Sequence, residues 1–188
     1  DCGLDGLKQD GIYEMPWQDS PERYEERCPD FNKFFKDVNG EVLFILGGSG
    51  NISGSTLSIL EQLKHCDINV LYIRPDLNSI SITKIRQEWV VFNILQEYAR
   101  SGAFKRIYLV DNSKVEEHLG DVPVIGYYEK LNDMIVSSLH MINVYNHIEP
   151  VVDSFSEPLG GRRISTIGFY DTKSNENNKQ KQSRSNFT

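Results

Sequence analysis

No apolar run in this 188-residue chain reaches the roughly 18 residues that a membrane-spanning helix needs, and no signal peptide opens it. A membrane span is therefore not expected, and the reading is a cytoplasmic protein. Cysteine is scarce: Cys2, Cys28 and Cys66 are the only three. They lie far apart, in neither a CxxC nor a zinc spacing, which points to free thiols in a reducing compartment, most simply small buried hydrophobes. The four histidines, His65, His118, His140 and His147, show no HExxH spacing and no Ser or Cys partner pattern. No metal ligand is assigned. Positive charge is also in deficit, and a formal charge of −7 argues against nucleic acid as a direct partner. No internal repeat is visible.

What remains is ordinary for a globular protein. A hydrophobic content of 39% with 25% charged residues is enough to build one real core. Residues 1–40 are polar and irregular, with short helices expected around 21–27 and 31–37, each with proline or aspartate near its start. Strands are expected at 41–46, 69–73, 106–110 and 163–170. Helices are expected at 55–65, 82–101 and 126–148. The second carries Ile85, Trp89, Phe92 and Leu95 at helical spacing, and the third Leu131, Ile135, Leu139 and Ile142. Strands alternating with helices over 40–110 imply an α/β fold with a parallel sheet and right-handed crossovers. One domain is expected over 1–171. The Asn-, Lys-, Gln- and Ser-rich tail 172–188 cannot bury enough apolar surface to order itself. The first residue is Asp1 rather than Met, which fits a fragment or a processed product.

The stretch with chemical content is Phe44-Ile45-Leu46-Gly47-Gly48-Ser49-Gly50-Asn51-Ile52-Ser53-Gly54, a strand running into a glycine-rich turn before a helix. Glycines let a turn adopt φ > 0 and gather its N–H groups without Cβ obstruction. At a helix start those groups form an anion site. The turn is neither a P-loop, because no Gly-Lys-Ser/Thr closes it, nor a clean GxGxxG. A plain connector has the same composition. A second polar turn, Asp111-Asn112-Ser113, follows the third strand. Ligands of such sheets sit at these carboxyl ends.

Three elements in this order resemble the nucleotide-binding domain of the tubulin/FtsZ superfamily, over about 40–171. The glycine turn is similar to the family's GGGTG[ST]G phosphate loop, with Gly48, Ser49, Gly50, Asn51, Ile52, Ser53 and Gly54 in its seven places. Asp111-Asn112-Ser113-Lys114 resembles the strand end whose Asn contacts guanine. Tyr128-Glu129-Lys130-Leu131-Asn132 is similar to the Y-x-x-L-N in which the ring stacks on the base and Asn bonds its edge. The chemistry agrees: a purine needs a flat apolar surface and a donor–acceptor amide, and residues one helical turn apart share a face. The resemblance implies GTP or GDP as ligand, Mg²⁺ bridging the phosphates, and head-to-tail self-association that buries the nucleotide between subunits. It also assigns Asp171, in Thr166-Ile167-Gly168-Phe169-Tyr170-Asp171, to the water that attacks the neighbour's nucleotide.

Two departures qualify this implication. Ile52 stands in a glycine place, and the family's first glycine-rich loop has no counterpart, so the fold is read as tubulin/FtsZ-like but incomplete at its N-terminus. A non-hydrolysing assembly protein that keeps the fold is the alternative. An unrelated flavodoxin-like module for another phosphorylated ligand is the third reading. Asp19, Glu22, Glu25, Glu26 and Asp30 form an acidic cluster, most simply a solvated segment, with a Mg²⁺ or partner-docking face as the sharper reading. Arg162 and Arg163 read as a polar hinge more readily than as a phosphate clamp.

Overall fold

Strand β2 (Asp67–Arg74) has apolar residues on both faces, as a strand buried in a parallel sheet requires. Ile68, Val70 and Tyr72 point to one side and Leu71 and Ile73 to the other. Around it a computed structural model describes residues 11–119, 125–149 and 163–167. Strands β1 (Glu41–Gly47), β3 (Arg106–Asp111) and β4 (Ile164–Thr166) complete a four-stranded, all-parallel sheet in the order β1-β2-β3-β4. Gly47 pairs with Ile73, and Arg74 with Asp111. The carboxyl ends of the first three strands therefore end level, and the loops that follow them share one rim. The class is α/β, as expected from the alternation of elements.

Two helical layers cover the sheet. A 3-10 segment (Asn51–Ser55), α2 (Thr56–Gln62) and α3 (Ile82–Ser101) lie on one face, where Leu60, Leu63, Phe92 and Leu95 pack on Leu46, Val70 and Tyr72. Helices α4 (Asn112–Leu119) and α5 (Tyr127–His147) lie on the other, with Val115, Leu131 and Ile135 against Leu71, Tyr108 and Val110. Strand order runs in one direction while the helices change face.

Local chemistry sets the helix ends. The Ser81 hydroxyl accepts from the Lys84 amide at the start of α3, and Gly102 closes it at φ 89°, a left-handed position that suits glycine. The buried stripe of α3 is Glu88, Phe92, Leu95 and Ala99, whereas Trp89 is 58% exposed. Of the expected stripe, Phe92 and Leu95 are buried and Ile85 is half-buried, and Trp89 alone turns outward, its place on the buried face taken by Glu88. No apolar pattern would place that charge inside.

Three expectations are corrected. Residues 31–37 form turns rather than a helix, because Gln62 of α2 captures the segment. Its Oε1 accepts from the Phe31 amide at 2.6 Å and its Nε2 donates to Pro29 O at 3.2 Å. Asp111-Asn112-Ser113 is not a free turn but the start of α4: Asp111 Oδ1 accepts from both the amide and the hydroxyl of Ser113, an N-cap pattern. The last strand covers Ile164–Thr166 rather than 163–170, with 168–170 outside the described residues. Among the described residues no helix is long and apolar enough to cross a membrane.

At the amino-terminal rim, Glu41 ties α5 to the sheet. It accepts from Asn69 Nδ2 at 2.5 Å, lies 3.4 Å from Lys105 Nζ and 3.2 Å from His147 Nε2. The His147 pKa is raised, first by the bond to Asn143 O and then by Glu41. Burial pushes the Glu41 pKa up, but the Lys105 charge and the three donors together bring it below the usual value. The His147 contribution is present below its unfolded pKa of about 6.5 and is lost as pH rises through the higher folded value. The Glu41 contribution is present above about 4.3 and is lost as pH falls. Urea titrations should therefore show His147→Gln less stable than the wild type near pH 5.5 and equal to it at pH 8. A pH-independent difference would refute this assignment.

Candidate functional site

The rim begins with a close approach. Gly48 lies directly over Tyr72 and Glu88, so that a Cβ would overlap the Tyr72 phenol and press on the Glu88 side chain. Glu88 is fully buried and is paired to Arg74 Nε at 2.7 Å, and Tyr72 Oη donates to its Oε1 at 3.3 Å. The Arg74 guanidinium also covers the Phe92 ring at 4.6 Å, a cation–π contact. Burial first, and then the Glu88 charge, push the Tyr72 pKa up, so the phenol stays a neutral donor. Glu88 Oε2 has no partner among the described residues.

The turn that follows is built without left-handed residues. Gly11, Gly40, Gly102 and Gly126 have positive φ, and Gly47, Gly48, Gly50 and Gly54 do not. The expectation that these glycines supply φ > 0 is thus corrected: Gly48 and Gly54 are needed for close packing instead. For the same reason Ile52 fits its place without backbone strain, since no non-glycine residue among the described residues has positive φ. Gly48 N–H continues the ladder to Ile73 O, and Ser53 N–H closes the 3-10 segment on Gly50 O. Between them, the amides of Ser49, Asn51 and Ile52 make no backbone hydrogen bond among the described residues. Gln87 of α3 steadies the turn, donating to Gly50 O at 2.8 Å and Ser53 Oγ at 3.1 Å.

Helix α1 (Pro21–Glu26) covers the far side of the turn. A Cβ on Gly54 would overlap the Pro21 carbonyl, and Asn51 Nδ2 donates to Asp19 O at 3.1 Å. The acidic cluster is thereby brought beside the glycine turn, a neighbour that disfavours an anion.

Two strands along the rim, about 10 Å away at the usual strand spacing, stands Asn112. Its Oδ1 is enclosed and has no hydrogen-bond donor among the described residues. Tyr127 is bonded to the Glu116 carboxylate of α4, which with burial raises its pKa to about 12. That bond pins the start of α5. Tyr128 is left 74% exposed, its ring edge-on to Tyr127 at 5.2 Å. Asn132, one turn on, is exposed too.

Gly48, Ser49, Gly50, Asn51, Ser53 and Gly54 thus follow β1 and Asn112 follows β3, while Tyr128 and Asn132 lie in the first turns of α5, whose Tyr127 meets Glu116 of α4. Asn51, Ser53 and Gly54 border a cavity of about 670 Å³ between α1, α2 and α3. Asn112, Tyr128 and Asn132 do not. Asp171 lies outside the described residues. Among the described residues no cluster of His, Cys, Asp or Glu is suited to a metal, and Arg163 bonds Phe104 O at 3.0 Å, a structural role. Sequence reasoning missed Arg74, Glu88 and Gln87. The one signal for them was a charged residue four places before Phe92 on an otherwise apolar stripe. No protein-family model, curated protein or solved structure matches the chain.

Packing at the turn yields two predictions. Gly48→Ala and Gly54→Ala should each cost about 1–3 kcal/mol, as overpacking does, because the new methyl meets buried groups or backbone. Gly50→Ala, at φ −77° with only an ordinary contact to Ile52, should change urea-measured stability by less than about 0.5 kcal/mol. Equal effects at all three would show that close packing is not what the glycines provide. Arg74→Met strands a buried carboxylate and should cost about 3–5 kcal/mol. The double variant Arg74→Met/Glu88→Leu should recover most of that loss, and an additive double variant would rule out the pairing.

Proposed function

We propose that the chain is a guanine-nucleotide-binding protein of the tubulin/FtsZ kind, which assembles head-to-tail and hydrolyses GTP where subunits meet. The observation that carries this reading is the shared rim. The amides of Ser49, Asn51 and Ile52, which make no backbone hydrogen bond among the described residues, follow β1, while a carboxamide follows β3 and an exposed ring with a second carboxamide lies in the first turns of α5. In this reading Gly48, Ser49, Gly50, Asn51, Ser53 and Gly54 form the phosphate side. Tyr128 stacks on the base, and Asn112 and Asn132 bond its edge. The orphaned Asn112 Oδ1 supports a ligand that brings donors, since an unmet buried acceptor costs about 1–3 kcal/mol and a guanine edge carries N–H groups. Asp171 would orient water in the neighbouring subunit's site, where Mg²⁺ bound with the nucleotide neutralises phosphate charge.

A second reading has its own support. Helix α1 packs against Gly54 and sets carboxylates beside the turn, which suits a fold kept for assembly without hydrolysis. Thermal unfolding with GTP, GDP, ATP and FMN separates the two. A guanine nucleotide at 100 times its Kd should stabilise by about 2.7 kcal/mol. No stabilisation by GTP or GDP favours the scaffold, and stabilisation by FMN alone favours an unrelated phosphate-ligand module. Because Tyr128 is exposed, Tyr128→Ala should leave the fold intact and weaken guanine binding by about 1–3 kcal/mol, the usual worth of a base–aromatic stack. Unchanged affinity removes Tyr128 from the site.

A further inference from the structure

Helix α3 is twenty residues long and α2, which faces it, is seven. At 1.5 Å per residue α2 can cover only about a third of its neighbour. The uncovered length borders the cavity of about 670 Å³, within the range of pockets that enclose small organic molecules. Its two ends differ. At the start of α3 the lining is polar, with Thr83, Lys84, Arg86 and Gln87 beside Ser53. Two to three turns on it is apolar, with Val90, Val91 and Ile94 facing Leu57. Lys84 and Ile94 are separated by about 15 Å along the helix axis.

Charge decides the head group. None of the ion pairs among the described residues uses Lys84 or Arg86. Across the cavity, Asp19 is neutralised by Arg23 at 2.9 Å, but Glu22 and Glu25 remain on the α1 wall. Those carboxylates repel a second negative group on the α1 wall, so the length of the cavity along α3 suits one anionic head. We propose that this cavity is a binding site for an amphiphilic organic mono-anion, its head on Lys84 and Arg86 and its apolar body along Val90, Val91 and Ile94. The site is separate from the Tyr128 and Asn132 end of the rim, although Asn51, Ser53 and Gly54 of the proposed phosphate side border the same cavity, and it does not require a nucleotide to bind.

Dodecanoate, kept below its micellar concentration and followed by titration calorimetry, tests the proposal. One saturable site is expected, with no saturation by dodecyltrimethylammonium. Val90 is mostly exposed, so Val90→Trp fills the cavity without entering the core, and it should weaken dodecanoate at least tenfold. Lys84→Glu/Arg86→Glu should do the same while the circular dichroism spectrum is retained. Non-saturating binding, equal binding of the cationic amphiphile, or wild-type affinity in both variants overturns the proposal. Any GTP-induced thermal shift should survive in Val90→Trp, which keeps failure here distinct from failure of the nucleotide reading.

Discussion

The rim of this fold hangs on a buried ion pair. Arg74, at the last position of β2, meets Glu88 from α3 at 2.7 Å, and the Tyr72 hydroxyl completes the contact. Such a pair adds little net stability over well-packed apolar residues, because desolvation offsets the attraction. Its consequence is positional. It sets the rotation of α3, which turns Phe92 and Leu95 to the sheet and sends Trp89 to solvent. It also fixes Tyr72 as the platform on which Gly48 rests, and so the height at which the glycine turn leaves the sheet.

From that platform the two halves of the rim are held by different means. The β1 half is braced by α3 through Gln87 and by α1 through Gly54 and Asn51. The β3 half is braced by Asp111 capping α4 and by Tyr127 bonding Glu116. Parallel register makes both halves end level, with the end of β2 between them.

Most of the architecture was legible because it is written in periodicity. Helix α3 was expected at 82–101 and α5 within one residue of its ends, since each has a long apolar stripe and a glycine at one boundary. What was not legible is tertiary in origin. Nothing local says that Gln62 will capture 29–31, that Asp111 will cap a helix, or that Glu88 will be buried on Arg74. The glycine turn was found but its glycines were misread. Four glycines in eight positions suggest unusual dihedrals, whereas two of them are there because Tyr72 and the Pro21 carbonyl leave no space for a methyl. Tyr128 and Asn132 could be placed on one helix face by spacing alone, and the α1 layer beside the turn could not.

Strand β1 adds a constraint of another kind. It is paired on one side only among the described residues, and Ile45 is 55% exposed on the face opposite α2 and α3. Natural edge strands are blunted with lysine, proline or bulges, yet Val42 to Gly47 contains no charge and no proline. Its sequence is that of an interior strand, apolar on both faces like β2. Water at that edge and over Ile45 is an unfavourable environment for such a sequence, so a strand and a covering layer are the surroundings it fits. The glycine turn begins at the end of this same strand.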